Sequence, residues 1–135
     1  MDFRFTLEWR ELPLRYAWRL SRNTSLTKTN GIVRLDWDGV QGLGEVAPNI
    51  RYGETVEAVD LAFRSFGSRL PEPGDWAAFT EKNDLPSCLL AGLDMAFQDA
   101  RSRREGPENS PYRGLPPVLP RPMAYTIPVM EGGQL

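Results

Sequence analysis

Along residues 2–10, DFRFTLEWR, apolar and polar side chains alternate, with Phe3, Phe5, Leu7 and Trp9 on one side. Period-two alternation predicts a half-buried β-strand. Pro13 to Leu20 can extend it, whereas SRNTSLTKT (21–29) is polar and without period, which reads as a loop. Ile32, Val33 and Leu35 predict a second strand over 31–36. Asp38-Gly39 separates that run from a third over 40–46, and the pair suits a tight hairpin because both residues tolerate positive φ. The first fifty residues therefore predict a three-stranded antiparallel meander.

The period then becomes helical. Thr55 is a good N-cap with Glu57 in the first turn, and Val56, Val59, Ala62, Phe63 and Phe66 recur on one face. Proline and glycine at 71–74 interrupt the pattern, and a short turn or two is expected around Trp76 and Phe79. Asp84 and Pro86 introduce a longer helix with Leu89, Leu90, Leu93, Ala96, Phe97 and Ala100 as its apolar set. Arg101, Arg103 and Arg104 complement its C-terminal dipole, and Gly106-Pro107 ends it. Seven of the twelve prolines lie between 107 and 128, which excludes a helix there. Within that stretch MAYTIPV (123–129) reads as a buried strand. It needs a partner, either the meander edge or a sheet beyond these residues.

At 135 residues, 41% hydrophobic and 25% charged, the sequence fits one globular domain. No apolar run reaches membrane-spanning length, and the mixed-charge N-terminus is unlike a signal peptide. The net charge of −2 gives no general attraction for nucleic acid or an anionic membrane, so neither is expected as a partner. One cysteine, Cys88, fits a reducing, cytoplasmic setting. Histidine is absent and lysine occurs only at Lys28 and Lys82. A histidine-based triad, a Cys-His pair and a His-ligated metal site are thereby excluded within these residues.

Several short patterns invite a chemical reading. Gly42, Gly44 and Ala47 match the G-x-G-x-x-A spacing of dinucleotide turns, but a helix should follow at once, and Pro48-Asn49 follows instead. The glycines then read as a bulge or a close backbone approach. Glu45 sits among Leu43, Val46 and Ala47, where a carboxylate needs a partner; a structural pairing with an arginine or backbone donors stands beside a catalytic role. The loop 48–53, with Arg51 and Tyr52, suits a carboxylate ligand and equally a solvated turn, and the same holds for 21–25 with Arg22. Asp94, Asp99 and the neighbouring arginines read as a solvated helix face.

Taken together, "GLGEVAP" ending the third strand, "RYGET" opening a helix, "LLAGLDMAFQDA" and "RPMAYTIPV" resemble the N-terminal capping domain of the enolase superfamily, in the mandelate racemase/muconate lactonizing enzyme group. "RYGET" and "RLSRNTS" look closest to dipeptide epimerases of the alanyl-glutamate type. The resemblance implies an α+β fold, a three-stranded antiparallel meander followed by a small helical bundle. It divides the sequence into a capping domain (1–106), a Pro-rich linker (107–122) and the first strand of a (β/α) barrel (123–135). It also implies a full-length isomerase in which a barrel lysine abstracts a proton α to a carboxylate and Mg²⁺ stabilises the enolate. The catalytic lysines and metal ligands have no counterpart in this sequence, so no catalytic residue, no metal and no activity are expected of these 135 residues alone.

The capping loops of that family close over the barrel mouth and select the distal part of the substrate. By position, the resemblance assigns substrate contact to Arg22, Asn23 and Thr24 in the first loop and to Ile50, Arg51 and Tyr52 in the second. Expected partners are the barrel itself, a small carboxylate such as a dipeptide, and further copies of the chain. The alternatives are o-succinylbenzoate synthase, N-acylamino acid racemase and muconate cycloisomerase, or a free-standing, non-catalytic α+β binding module.

Overall fold

The computed structural model describes residues 2–20, 23–67 and 70–106, together with Pro122. The expected linker over 107–122 (Pro122 apart) and the strand MAYTIPV lie outside the described residues. Strands β1 (Phe3–Leu20), β2 (Asn23–Trp37) and β3 (Val40–Val46) form one antiparallel sheet in the order β1-β2-β3. Helices α1 (Val56–Phe66), α2 (Trp76–Glu81) and α3 (Ser87–Glu105) follow, giving the α+β architecture expected from the sequence.

The predicted hairpin turn is present: Asp38 and Gly39 have φ of 49° and 85°, and Asp36 accepts a hydrogen bond from Gly39 N. Continuous pairing from Gly31↔Val46 to Trp37↔Val40 leaves no bulge in β2–β3. One expectation fails. The polar run 21–29 reads as a loop, yet in its described part it is strand, paired with β1 as far as Leu20↔Asn23. This arm extends beyond the end of β3, as a ribbon of two strands. It has no core to face and so needs no apolar alternation; Thr24, Thr27 and Thr29 supply strand propensity instead. Its register is interrupted between Pro13 and Trp18, where Leu14–Ala17 stand against Leu26.

One sheet face carries Phe3, Phe5, Leu7 and Trp9 from β1 and Val33 and Leu35 from β2, packed against Val59, Phe66, Trp76, Leu89, Leu93, Phe97 and Ala100. Trp76 stacks against Phe97 at 4.5 Å between centroids and against Phe5 at 5.4 Å, and its Nε1 donates to Asp94 Oδ1 at 2.9 Å. Asp94, expected on a solvated face, thus satisfies the polar edge of a buried indole.

The glycines of β3 settle against α3. A Cβ on Gly42 would lie 2.0 Å from Ala96 O, and one on Gly44 would lie 1.9 Å from Gly92 O. On the helix side, a Cβ on Gly92 would meet Val46 Cγ2 at 2.4 Å. Strand and helix therefore touch backbone to backbone, with Ala96 and Ala100 as the other small residues of the seam. Asp99 adds a bond across it, accepting from Leu43 N at 2.9 Å while pairing with Arg103 at 2.9 Å.

Neither seam partner can retreat without opening the core. Gly44→Ala is expected to destabilise the fold at or above the upper end of the roughly 1–3 kcal/mol typical of overpacking. Gly74→Ala, where a Cβ meets nothing within 4 Å, should change stability by less than about 0.5 kcal/mol. Urea denaturation of the two variants beside the parent checks the contrast.

Candidate functional site

Where β3 ends at Val46, level with Gly31 and Trp9, the chain turns into 47–53 while the β1–β2 arm continues past it. The two segments singled out by sequence therefore leave the sheet at the same end. Thr24 is exposed on the arm, paired with Arg19 in the ladder, and Asn23 pairs with Leu20. Arg22 lies outside the described residues. The arm also exposes Leu12, Tyr16 and Leu26, the last at 68%.

The second segment is built turn by turn. Asn49 caps a short 3-10 turn, Ile50–Tyr52, by accepting from Arg51 N at 3.0 Å, and Tyr52 N donates to Asn49 O at 2.9 Å. Gly53 closes it with φ of 74°, in the left-handed region where glycine carries no strain. Ile50 and Tyr52 are 74% and 77% exposed and Arg51 is also exposed, so the turn offers an aliphatic, a cationic and a phenolic group side by side.

What holds this turn is a residue the sequence reading did not select. Glu54 is 7% exposed, and its carboxylate accepts from Cys88 N at 3.0 Å, Ser87 Oγ at 2.8 Å and Asn49 N at 3.1 Å. The Cys88 N–H above all, with Ser87 and Asn49, holds the Glu54 carboxyl below its ordinary value of 4.5 despite the cost of burial. Helix α3 has Pro86 at its N-cap and no capping side chain of its own. Glu54 supplies the missing acceptor from elsewhere in the chain, where the helix dipole also favours negative charge. An uncapped helix start at Ser87-Cys88 and a lone acid before the Thr55 cap were the available signals.

Burial first, then the Glu54 charge, raises the Cys88 thiol to about 11, which keeps it protonated and unreactive at neutral pH. Glu45 departs from expectation: it is exposed, because β3 turns positions 42, 44 and 46 toward the helices and 43 and 45 away. Its partner is neither arginine nor backbone but the side-chain amide of Asn30, which donates at 2.7 Å at the root of the arm. Among the described residues no group of three or more acidic or cysteine side chains is placed to hold a metal ion, so the Mg²⁺ of the resemblance has no fitting donor set on them. No helix of the described residues is long and apolar enough to cross a membrane.

Comparison with solved structures gives this arrangement its setting. Over 78% of its length the chain superposes on 33% of a dipeptide epimerase from Methylococcus capsulatus, with 25% identity and a TM-score of 0.67; that enzyme is complexed with Mg and the dipeptide L-Arg-D-Lys. A mandelate racemase/muconate lactonizing protein from Herpetosiphon aurantiacus matches at 25% identity and a TM-score of 0.66, over 76% of this chain and 31% of its own. For 2-chloromuconate cycloisomerase from Rhodococcus opacus 1CP the values are 20% and 0.67, over 78% and 32%. The structural neighbours of the chain are members of the enolase superfamily, and it shares their fold over that part of their length. More narrowly, they are isomerases, dipeptide epimerases and cycloisomerases among them. The chain spans about a third of the length of these enzymes. No family model matches it, and no curated protein sequence does.

The Glu54 cluster has a pH signature. Its folded value is depressed, so the stabilisation is complete above pH 4.5 and is lost as the pH falls through the folded value. Asp60, held low by Trp9 Nε1 and Arg64, acts in the same sense; so does Asp99, where Arg103 and Leu43 N–H outweigh desolvation. Glu54→Gln should cost roughly 2–3 kcal/mol at pH 7 and make the acid-side loss of stability shallower without abolishing it. Denaturation midpoints of parent and variant between pH 7 and pH 3 measure both effects.

Proposed function

We propose that residues 1–106 are the specificity-determining capping domain of an enolase-superfamily isomerase, in which a proton α to a carboxylate is abstracted in a separate barrel. The observation that carries this reading is the common end of the sheet from which the arm and the 49–53 turn both project, in a fold shared with such isomerases. Dipeptide epimerisation is the preferred activity, supported by the 25% identity to the Methylococcus capsulatus enzyme. On this reading residues 107–122 link the cap to the barrel and MAYTIPV is its first strand. The Mg²⁺ of the whole enzyme would be held on groups other than the described residues.

Substrate contact falls to the exposed turn and the arm. Arg51 is the cation of the turn and would pair with a distal carboxylate, while Ile50 and Tyr52 cover the apolar remainder. Arg22, Asn23 and Thr24 would act from the arm. The barrel supplies chemistry common to many substrates, and the cap supplies the shape and charge that choose among them.

The protein encoded by the whole reading frame, incubated with Mg²⁺ in D₂O and a panel of dipeptides, should exchange the α-proton of at least one, read by NMR. Failure with every dipeptide, alongside turnover of a muconate or a succinylbenzoate precursor, would move the assignment to the cycloisomerase branch or to o-succinylbenzoate synthase. The 135 residues alone should give no exchange. In the active protein, Arg51→Ala should raise KM for a dipeptide with an acidic second residue about 10- to 100-fold, the worth of one charge-assisted hydrogen bond. The kcat for a neutral dipeptide should hold.

A further inference from the structure

β1 is an edge strand: it pairs with β2 on one side, and among the described residues no strand pairs with the other. The tight turn makes Trp37↔Val40 a hydrogen-bonded pair of β2 and β3, and Asp38 N donates to Asp2 O on the β1 side. Ladder bonds alternate, so Arg4, Thr6, Glu8 and Arg10 bond β2, and Phe3, Phe5, Leu7 and Trp9 turn their backbone N–H and C=O to the open edge. An edge of this length is a template for another strand.

The outward side chains select which strand. Asp2, Arg4, Thr6, Glu8 and Arg10 are all exposed on one face, where Arg10 and Glu8 of the same strand already pair at 2.6 Å. If a second β1 runs antiparallel with Thr6 opposite its own copy, Arg4 faces Glu8 of the second copy and Asp2 faces Arg10, each twice by symmetry. Shifting the register by one pleat in one direction sets Asp2 against Glu8, and in the other sets Arg4 against Arg10. Only the Thr6-centred register matches every charge, and it also gives Phe5 opposite Leu7 and Phe3 opposite Trp9 as hydrogen-bonded pairs. Those pairs prolong the apolar inner face past a groove of about 400 Å³ beside the edge, lined by Phe3, Phe5, Phe63 and Phe66 together with Arg4 and Arg64. Pro13, which cannot donate to the open edge, bounds the ladder at the far end.

We infer that β1 is a homodimerisation edge, pairing with a second copy about a two-fold axis at Thr6 to form a continuous six-stranded sheet. The inference does not depend on the catalytic reading. In a Cys88→Ser background, Thr6→Cys places two thiols on a non-hydrogen-bonded pair with Cα atoms about 4.5 Å apart, inside the range of a disulfide. Arg4→Cys places them about 13 Å apart along the strand, at roughly 3.3 Å per residue. Under mild oxidation the first variant should form covalent dimer and the second should not. Sedimentation equilibrium of the unmodified chain should give twice 15.3 kDa. Glu8→Arg should weaken the dimer at least about tenfold, and adding Arg4→Glu to the same chain should restore it. A concentration-independent monomer, cross-linking of Arg4→Cys as fast as of Thr6→Cys, or a charge swap without rescue would each overturn the proposal. So would pairing of the β1 edge with residues 123–129 of the same chain, seen as a monomer with exchange-protected Phe5 and Leu7 amides.

Discussion

The distance between β3 and α3 governs the rest of the molecule. With Gly42, Gly44 and Gly92 at the crossing, carbonyl oxygens stand where β-carbons would otherwise be, and the helix lies directly on the strand. That approach brings Phe97 and Leu93 under β2 and the Trp76 indole between Phe97 and Phe5. It also fixes where α3 begins, and so where Ser87 and Cys88 present their donors to Glu54. A helix held further out by even one methyl would lose both the aromatic stack and the anchor of the turn.

The two projecting segments are held in different ways. The 49–53 turn is tied by Glu54 to the start of a helix whose body is the core, so its shape is that of the folded domain. The arm is a two-stranded ribbon interrupted at Leu14–Ala17 and secured at its root, where Asn30 bonds Glu45. Two-stranded ribbons have little stability of their own. Under the proposed function, the turn would offer a preformed surface and the arm the part that closes.

The fold was largely legible because its core obeys simple periods. Alternation in 2–10 and 31–36, Asp38-Gly39 with positive φ at both residues, and Thr55 as a helix cap each rest on short-range physics and appear in the structure. The arm was missed because a ribbon solvated on both faces carries no hydrophobic period. The acid that needs partners is Glu54, on which the sequence pattern is silent, and not Glu45. Glu45 has apolar neighbours in sequence but points away from the core, while Glu54 looks like an ordinary surface acid and is buried by a helix thirty-three residues later. Hydropathy reports what a residue is beside in the chain; the need of Glu54 was set by α3's missing cap, a tertiary fact. The glycine spacing was legible only as a question, since close approach and phosphate binding call for the same absent side chain.

The anatomy of the 49–53 turn has one further consequence. Its curvature is drawn by backbone bonds, by Gly53, and by the Asn49 and Glu54 side chains, whereas Ile50, Arg51 and Tyr52 bury almost nothing. Residues that dictate shape and residues that carry the outward aliphatic, cationic and phenolic groups are separate sets within six consecutive positions. The three outward residues can be exchanged for others of different size and charge with little tax on folding. Under the proposed function, a lineage carrying this turn would change what it selects by single substitutions while the scaffold beneath remained untouched.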